Sequence, residues 1–173
     1  MISIQPATVA DTEVLSRIGG QTIFESHGRS APHHVMQAYV DNKFSPAALE
    51  AELLDARNIF HLLHYNGQVA GYSKIIFNTP IDPVPDQKIT KLERLYLLEE
   101  FHDKKLGHRL LQFNIDLTKL NGQTGMWLYV WKGNDRALKF YERAGFTIVG
   151  DGWFRLTAEH ANPNWQMYLP YST

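Results

Sequence analysis

The chain has 173 residues, a formal net charge of −1 and no cysteine. Two domains of half that length would each be poor in core, so residues 1–173 are read as a single domain. The charge gives no reason to expect nucleic acid or an anionic membrane as partner, and the missing cysteines exclude disulfides, thiolate nucleophiles and cysteine-based zinc sites. Hydrophobic residues at 44% and charged residues at 20% are ordinary globular usage. Met1-Ile2-Ser3-Ile4-Gln5-Pro6 lacks the charged and apolar regions of a signal peptide. No window approaches the roughly 20 apolar residues of a spanning helix. The expectation is a cytoplasmic protein; nothing excludes a homodimer. His33-His34 and the pair His61 and His64 form no ligand set, so no metal is expected.

Ile2 to Gln5 alternate as a short strand, and Thr8 or Asp11 can cap the helix that follows. Val14, Leu15, Ile18, Thr22 and Phe24 recur at helical spacing to about Ser26. Gly19-Gly20 interrupts this helix at about 1 kcal/mol per glycine relative to alanine. His33 to Asp41 reads as a second helix. Ser45-Pro46 is a strong start signal for a third. Ile59 to Tyr65 and Gln68 to Phe77 are strands, joined by Asn66-Gly67, a hairpin turn. A proline-rich loop leads to a third long strand, Lys88 to Leu98. Lys105 to Leu120 then reads as helix, Thr124 to Trp131 as strand and Asp135 to Arg143 as a short helix. Phe146 to Val149 and Trp153 to Leu156 read as strands around a turn at Gly150-Asp151-Gly152. Asn162-Pro163-Asn164 reads as another turn before a last strand, Trp165 to Leu169. The order is mixed α/β: an antiparallel meander first, a strand-helix-strand crossover later.

Phe101-His102-Asp103-Lys104-Lys105-Leu106-Gly107-His108 joins a strand to a helix. Free backbone N–H groups and the positive helix end meet there, which suits a phosphate, and Gly107 lets a ligand approach closely. Basic side chains at a helix start are also common without any ligand. Leu95 through Leu111 resembles the central motif of the GNAT superfamily of acyl-CoA-dependent N-acetyltransferases: an apolar strand, an aromatic, then Q/R-x-x-G-x-G/A opening a helix. His102 departs from the usual Gln or Arg, and Lys105 from the first glycine. Asn134-x-x-Ala137-x-x-Phe140-Tyr141-x-x-x-Gly145-Phe146 resembles the second signature of the family, and Ile4-Gln5-Pro6-Ala7-Thr8-x-x-Asp11 its usual opening. Phe24-Glu25-Ser26-His27-Gly28, Ala38-Tyr39-Val40 and Trp127-Leu128-Tyr129-Val130-Trp131 resemble bacterial polyamine acetyltransferases of the PaiA type.

The resemblance implies a twisted mixed sheet of about seven strands with flanking helices and a central strand splayed near Tyr96. It implies acetyl-CoA as cosubstrate and a small primary amine as acceptor, a polyamine first, attacked directly in a ternary complex. A peptide amine, or a non-catalytic acyl-CoA-binding module, are the rival readings. Tyr141 would protonate the leaving thiolate; read alone, it is a tyrosine packing on the sheet. Leu95, Tyr96 and Leu97 would present backbone groups to the cofactor. His102, Asp103, Lys104, Lys105, Leu106, Gly107 and His108 would hold its pyrophosphate. Asn134 would bond the cofactor, the tyrosine, or only its own helix. Glu93 shares strand parity with Leu95 and Leu97 and would be the base; otherwise it pairs with Arg94 or Lys91. Phe24, Glu25, His27 and Tyr39 would line the acceptor cleft.

Overall fold

The helices begin where side chains satisfy their free amides. In the computed structural model, which describes residues 1–172, Thr8 Oγ1 accepts from Ala10 N–H (3.3 Å) and Asp11 Oδ2 from Thr8 N–H (2.8 Å). This reciprocal cap leads into α1 (Thr12–His27). α2 covers His33–Lys43. Ser45 Oγ caps α3 (Pro46–Leu54) by accepting from Ala48 N–H at 3.2 Å. Gly19-Gly20, unfavourable on propensity, is explained by packing. A Cβ at Gly19 would lie 2.4 Å from the Phe44 ring, and one at Gly20 3.0 Å from Val40.

β1 (Ile2–Pro6), β2 (Ile59–Tyr65), β3 (Gln68–Ile76) and β4 (Ile89–Leu97) form an antiparallel wing. The Asn66-Gly67 turn has φ of 50° and 81°, the double positive values its sequence predicts. α4 (Leu106–Leu120), β5 (Gly125–Trp131), α5 (Asp135–Arg143), β6 (Thr147–Arg155) and β7 (Ala161–Pro170) follow. The strand order is β1-β2-β3-β4-β5-β7-β6, and only the β4–β5 pair is parallel. This is the mixed seven-stranded sheet with flanking helices that the sequence resemblance implies.

Two irregularities in β4 shape the centre. β4 pairs with β5 only from Ile89 to Lys91, opposite Gly125 to Trp127. The split therefore opens after Lys91, several residues before Tyr96. On the other side, Lys74 pairs with Arg94 and Ile75 with Leu92, so Glu93 is an extra, bulged residue. The bulge overturns the parity expected from strict alternation. Glu93 falls on the face of Arg94 and Tyr96, not that of Leu95 and Leu97. The latter face α4: Ser73, opposite Leu95, accepts from Asn114 of α4 at 3.0 Å, while Leu97 lies against Gly107. Tyr96 faces α1, its ring 6.0 Å from that of His27.

The C-terminal strands also differ from expectation. Gly150-Asp151-Gly152 and Asn162-Pro163-Asn164 lie inside continuous strands, and the chain reverses between Leu156 and His160 instead. The glycines serve close packing. A Cβ at Gly150 would meet Gln166 at 2.6 Å, and one at Gly152 the Tyr129 ring at 3.1 Å. Pro163 lies beside the last β5 pair, where its carbonyl still accepts from Lys132 N–H. Leu15, Ile18, Met36, Phe44 and Leu49 anchor the core under α1–α3. Leu111, Ile115, Met126, Tyr141 and Phe146 anchor the second, with Ile75 and Leu92.

Candidate active site

The turn before α4 has the local structure of an anion site. Lys105 precedes the helix with φ of 58° and no side chain caps its first turn. The leading N–H groups thus lack an internal acceptor and sit at the positive end of the helix. The left-handed φ gives a reason for glycine at this point of the related motif; a residue with a Cβ pays about 1–2 kcal/mol there. Gly107 differs. A Cβ would sit 3.5 Å from Leu97 and from Phe140, ordinary contact distances. Nothing inside the chain requires that Cβ to be missing, which leaves close approach of an external group as a reason for the glycine.

The side chains of this turn divide. Asp103, Lys104, Lys105 and His108 are exposed, while Leu106 is fully buried and offers only its backbone. The Lys104 ammonium lies 5.3 Å from the centre of the Tyr65 ring. His102 points inward: Nδ1 accepts from Arg136 of α5 at 2.6 Å and Nε2–H donates to the Leu97 carbonyl at 3.0 Å. It ties the end of β4 to α5. Asn134 Oδ1 accepts from Ala137 N–H at 3.1 Å and so caps α5. Tyr141 packs its ring between Phe140 and Phe146 at 5.1 and 5.5 Å. Its hydroxyl makes no hydrogen bond to another described residue, and burial raises it above the ordinary phenol value. Tyr96 is raised too, first by burial and then by the phenols of Tyr72, Tyr39 and Tyr141.

On the other face of β4 lies a cleft of about 740 Å³, part of it open to solvent. α1 and α2 contribute His27 and Tyr39, and β4 contributes Lys91 to Arg94 and Tyr96. Tyr129, Trp131, Asn162 and Asn164 close it from the far wing. Of the four acceptor-side residues expected, His27 and Tyr39 line this cleft; Phe24 and Glu25 do not. Phe24 stacks on His33 at 5.3 Å. Glu25 accepts from Glu99 N–H and from Gln21, both at 2.9 Å. The cause is helical phase: Ile23 and His27, four apart, share the inward face of α1.

A charge cluster that sequence reasoning missed reaches the cleft floor at Glu93 and Arg94 and continues beneath it through Lys74 and Glu52. Lys74 and Arg94 are 3% and 7% exposed. Glu52 accepts two bonds from Arg94 (2.7 and 3.0 Å) and one from Lys74 (3.1 Å). Lys74 also bonds Glu93 at 3.0 Å. The Arg94 guanidinium covers the Phe44 ring at 4.6 Å. Burial alone would raise Glu93, but Lys74, Lys91 and Arg94 together hold it below the usual carboxylate value. The available signal was a lone lysine in the buried run Val69 to Ile76, because such a charge must find a partner.

His27 is a neutral imidazole in this setting. Ser26 Oγ donates to the Thr22 carbonyl at 2.7 Å. The 2.6 Å contact with His27 Nδ1 must therefore be donated by the ring, leaving Nε2 uncommitted. Burial lowers its pKa to about 4, against an ordinary value of 6.5 that the unfolded chain retains. Between those values the unfolded state binds more protons, so stability falls as pH drops from 6.5 to 4. The shift amounts to about 3 kcal/mol. Denaturant titrations from pH 4 to 8 should show this slope, and His27→Gln should remove it.

Residues 21–146 match the model of the Acetyltransferase (GNAT) family. An uncharacterised N-acetyltransferase of Mycobacterium tuberculosis is 31% identical over 132 residues, covering 76% of this chain and 80% of its own. Another, from Lactobacillus delbrueckii subsp. lactis, is 25% identical over 155 residues and 90% of each chain. Among solved structures, the PaiA N-acetyltransferase of Thermoplasma acidophilum, in complex with coenzyme A, superposes with a TM-score of 0.80, at 20% identity over 99% of both chains. The ribosomal-protein-S18-alanine N-acetyltransferase of Escherichia coli gives 0.72, at 20% identity over 100% and 96%. These superpositions show a shared fold over nearly the whole chain. The chain belongs to the GNAT family and is an acetyl-CoA-dependent N-acetyltransferase.

Proposed function

We propose that the chain transfers the acetyl group of acetyl-CoA to the primary amine of a small molecule, with the thioester and amine meeting at the split between β4 and β5. The observation that carries this reading is the position of β4 between two unlike environments. One face leads to an uncapped helix start beside Gly107; the other is a cleft floored by charged groups.

In this reading the first-turn amides of α4, with Lys104, Lys105 and His108, hold the cofactor pyrophosphate. Backbone groups of Leu95 to Leu97, freed by the split, hold its arm and polarise the thioester carbonyl. Tyr141 gives its proton to the departing sulfur. Glu93 is ionised and faces the cleft. It takes the ammonium proton, directly or through water, from an amine made more acidic by the cations around it. Attack is direct, since the chain has no cysteine to carry an acyl group. The polyamine acceptor rests on the sequence resemblance alone. Glu25 and Glu52, two of the carboxylates it would use, are already bonded elsewhere.

CoA release measured across a panel of amines tests the reading; spermidine, a peptide amine and simple alkylamines form its arms. No release with any amine would refute transfer to amines. Gly107→Ala separates the cofactor site from packing. The added methyl fits the interior and favours the helix by up to about 1 kcal/mol, so the melting temperature should hold or rise. The KM for acetyl-CoA should rise about tenfold, equivalent to ~1.4 kcal/mol. An unchanged KM would remove the pyrophosphate from this turn.

A further inference from the structure

The cleft floor carries more positive than negative charge. Lys74, Lys91 and Arg94 face only two carboxylates, Glu52 and Glu93. Glu52 is used up by Arg94 and Lys74. Glu93 bonds Lys74 and lies 3.9 Å from Lys91, beyond hydrogen-bond reach. The Lys91 ammonium donates to no described residue. It sits over the rings of Trp127 and Tyr129, at 5.3 and 5.7 Å. Burial lowers its pKa, Lys74 and Arg94 act in the same direction, and Glu93 opposes them. His27, which also lines the cleft, is neutral above about pH 4. A partly buried ammonium with aromatic walls, whose one carboxylate stands at 3.9 Å, has donors to spare for a ligand.

Resting on the acetyltransferase reading above, we propose that the acceptor carries an anionic group, a carboxylate or a phosphate, besides its primary amine, and that Lys91 binds that group. The arrangement serves both ends of such a molecule. The excess positive charge attracts the anion, and it disfavours the protonated form of the amine that must attack. A polycation meets the opposite: of the two carboxylates only Glu93 lines the cleft, and it is already bonded to Lys74.

Four amines of matched length test this: 4-aminobutanoate, 3-aminopropyl phosphate, butylamine and 1,4-diaminobutane. CoA thiol release is a clean readout, because the chain has no thiol of its own. At least one anionic amine should exceed butylamine in kcat/KM by about tenfold, the effect of one contact worth ~1.4 kcal/mol. The diamine should rank last. The better of the two anionic arms identifies carboxylate or phosphate. In Lys91→Met the ratio of anionic to neutral amine should fall towards one, and in Lys91→Glu the diamine should overtake. The proposal is overturned if the diamine outranks butylamine in the native chain, or if Lys91→Met keeps the anionic preference. If none of the four releases CoA while spermidine or a peptide amine does, the anionic acceptor is wrong and acetyl transfer stands. Silence from every amine sinks both.

Discussion

Tyr141→Phe should lower kcat by roughly 10²- to 10⁴-fold, the range for removal of a positioned general acid. The fall should appear equally in kcat/KM, because the lost interaction exists only as the thiolate forms. Burial keeps the Tyr141 phenol protonated across the working range, the form an acid needs. The ring packs between Phe140 and Phe146, and phenylalanine preserves that packing. The hydroxyl has no described partner to orphan, so stability should not change. Stopped-flow or steady-state CoA release, with a melting curve on the same sample, decides it. Unchanged turnover would make Tyr141 a core residue and nothing more.

Glu52→Gln should produce the largest loss of stability. Its carboxylate answers two cations that are almost wholly buried. Neutralising it leaves Arg94 without an anion in bonding contact and Lys74 with Glu93 alone. Breaking such a pair from one side costs about 3–5 kcal/mol, and for a chain of this size about 10 °C in melting temperature. The exposed pair Arg57 and Asp55 is the control. Arg57→Ala should not move the curve measurably, because solvent screens that interaction. If the two variants melted alike, the cluster would not anchor the cleft floor.

Much of this molecule is legible in its sequence, and the legible parts share a cause. Ser45-Pro46, Asn66-Gly67 and the apolar stripe of α4 act within a few residues of themselves, so local chemistry decides their structure. Gly150, Gly152 and Pro163 mislead for the opposite reason. Their small size or missing N–H is accommodated by neighbouring strands, far away in sequence. Glu93 shows the same limit inside the site. Its residue type marked it, but its face depends on a bulge created by pairing with β3. The cluster of Glu52, Lys74 and Arg94 spans a helix and two strands. No spacing within one element could announce it. The family resemblance places Phe24 and Glu25 in the cleft but carries no helical phase; a helix turns about 100° at each step, and Ile23 and His27 are the α1 residues that line it.

The short junction between β4 and β5 also has a steric meaning. Three residue pairs join a four-stranded wing to a three-stranded one. On the α4 side one core still spans both wings, from Ile75 and Leu92 to Met126 and Leu128, so the separation opens on the cleft side alone. His27 of one wing and Trp131 of the other meet across the gap at 6.2 Å, and Lys91 sits at the junction itself. A molecule lodged between the wings would therefore touch both of them at once, which makes the width of the gap a limit on what the cleft admits.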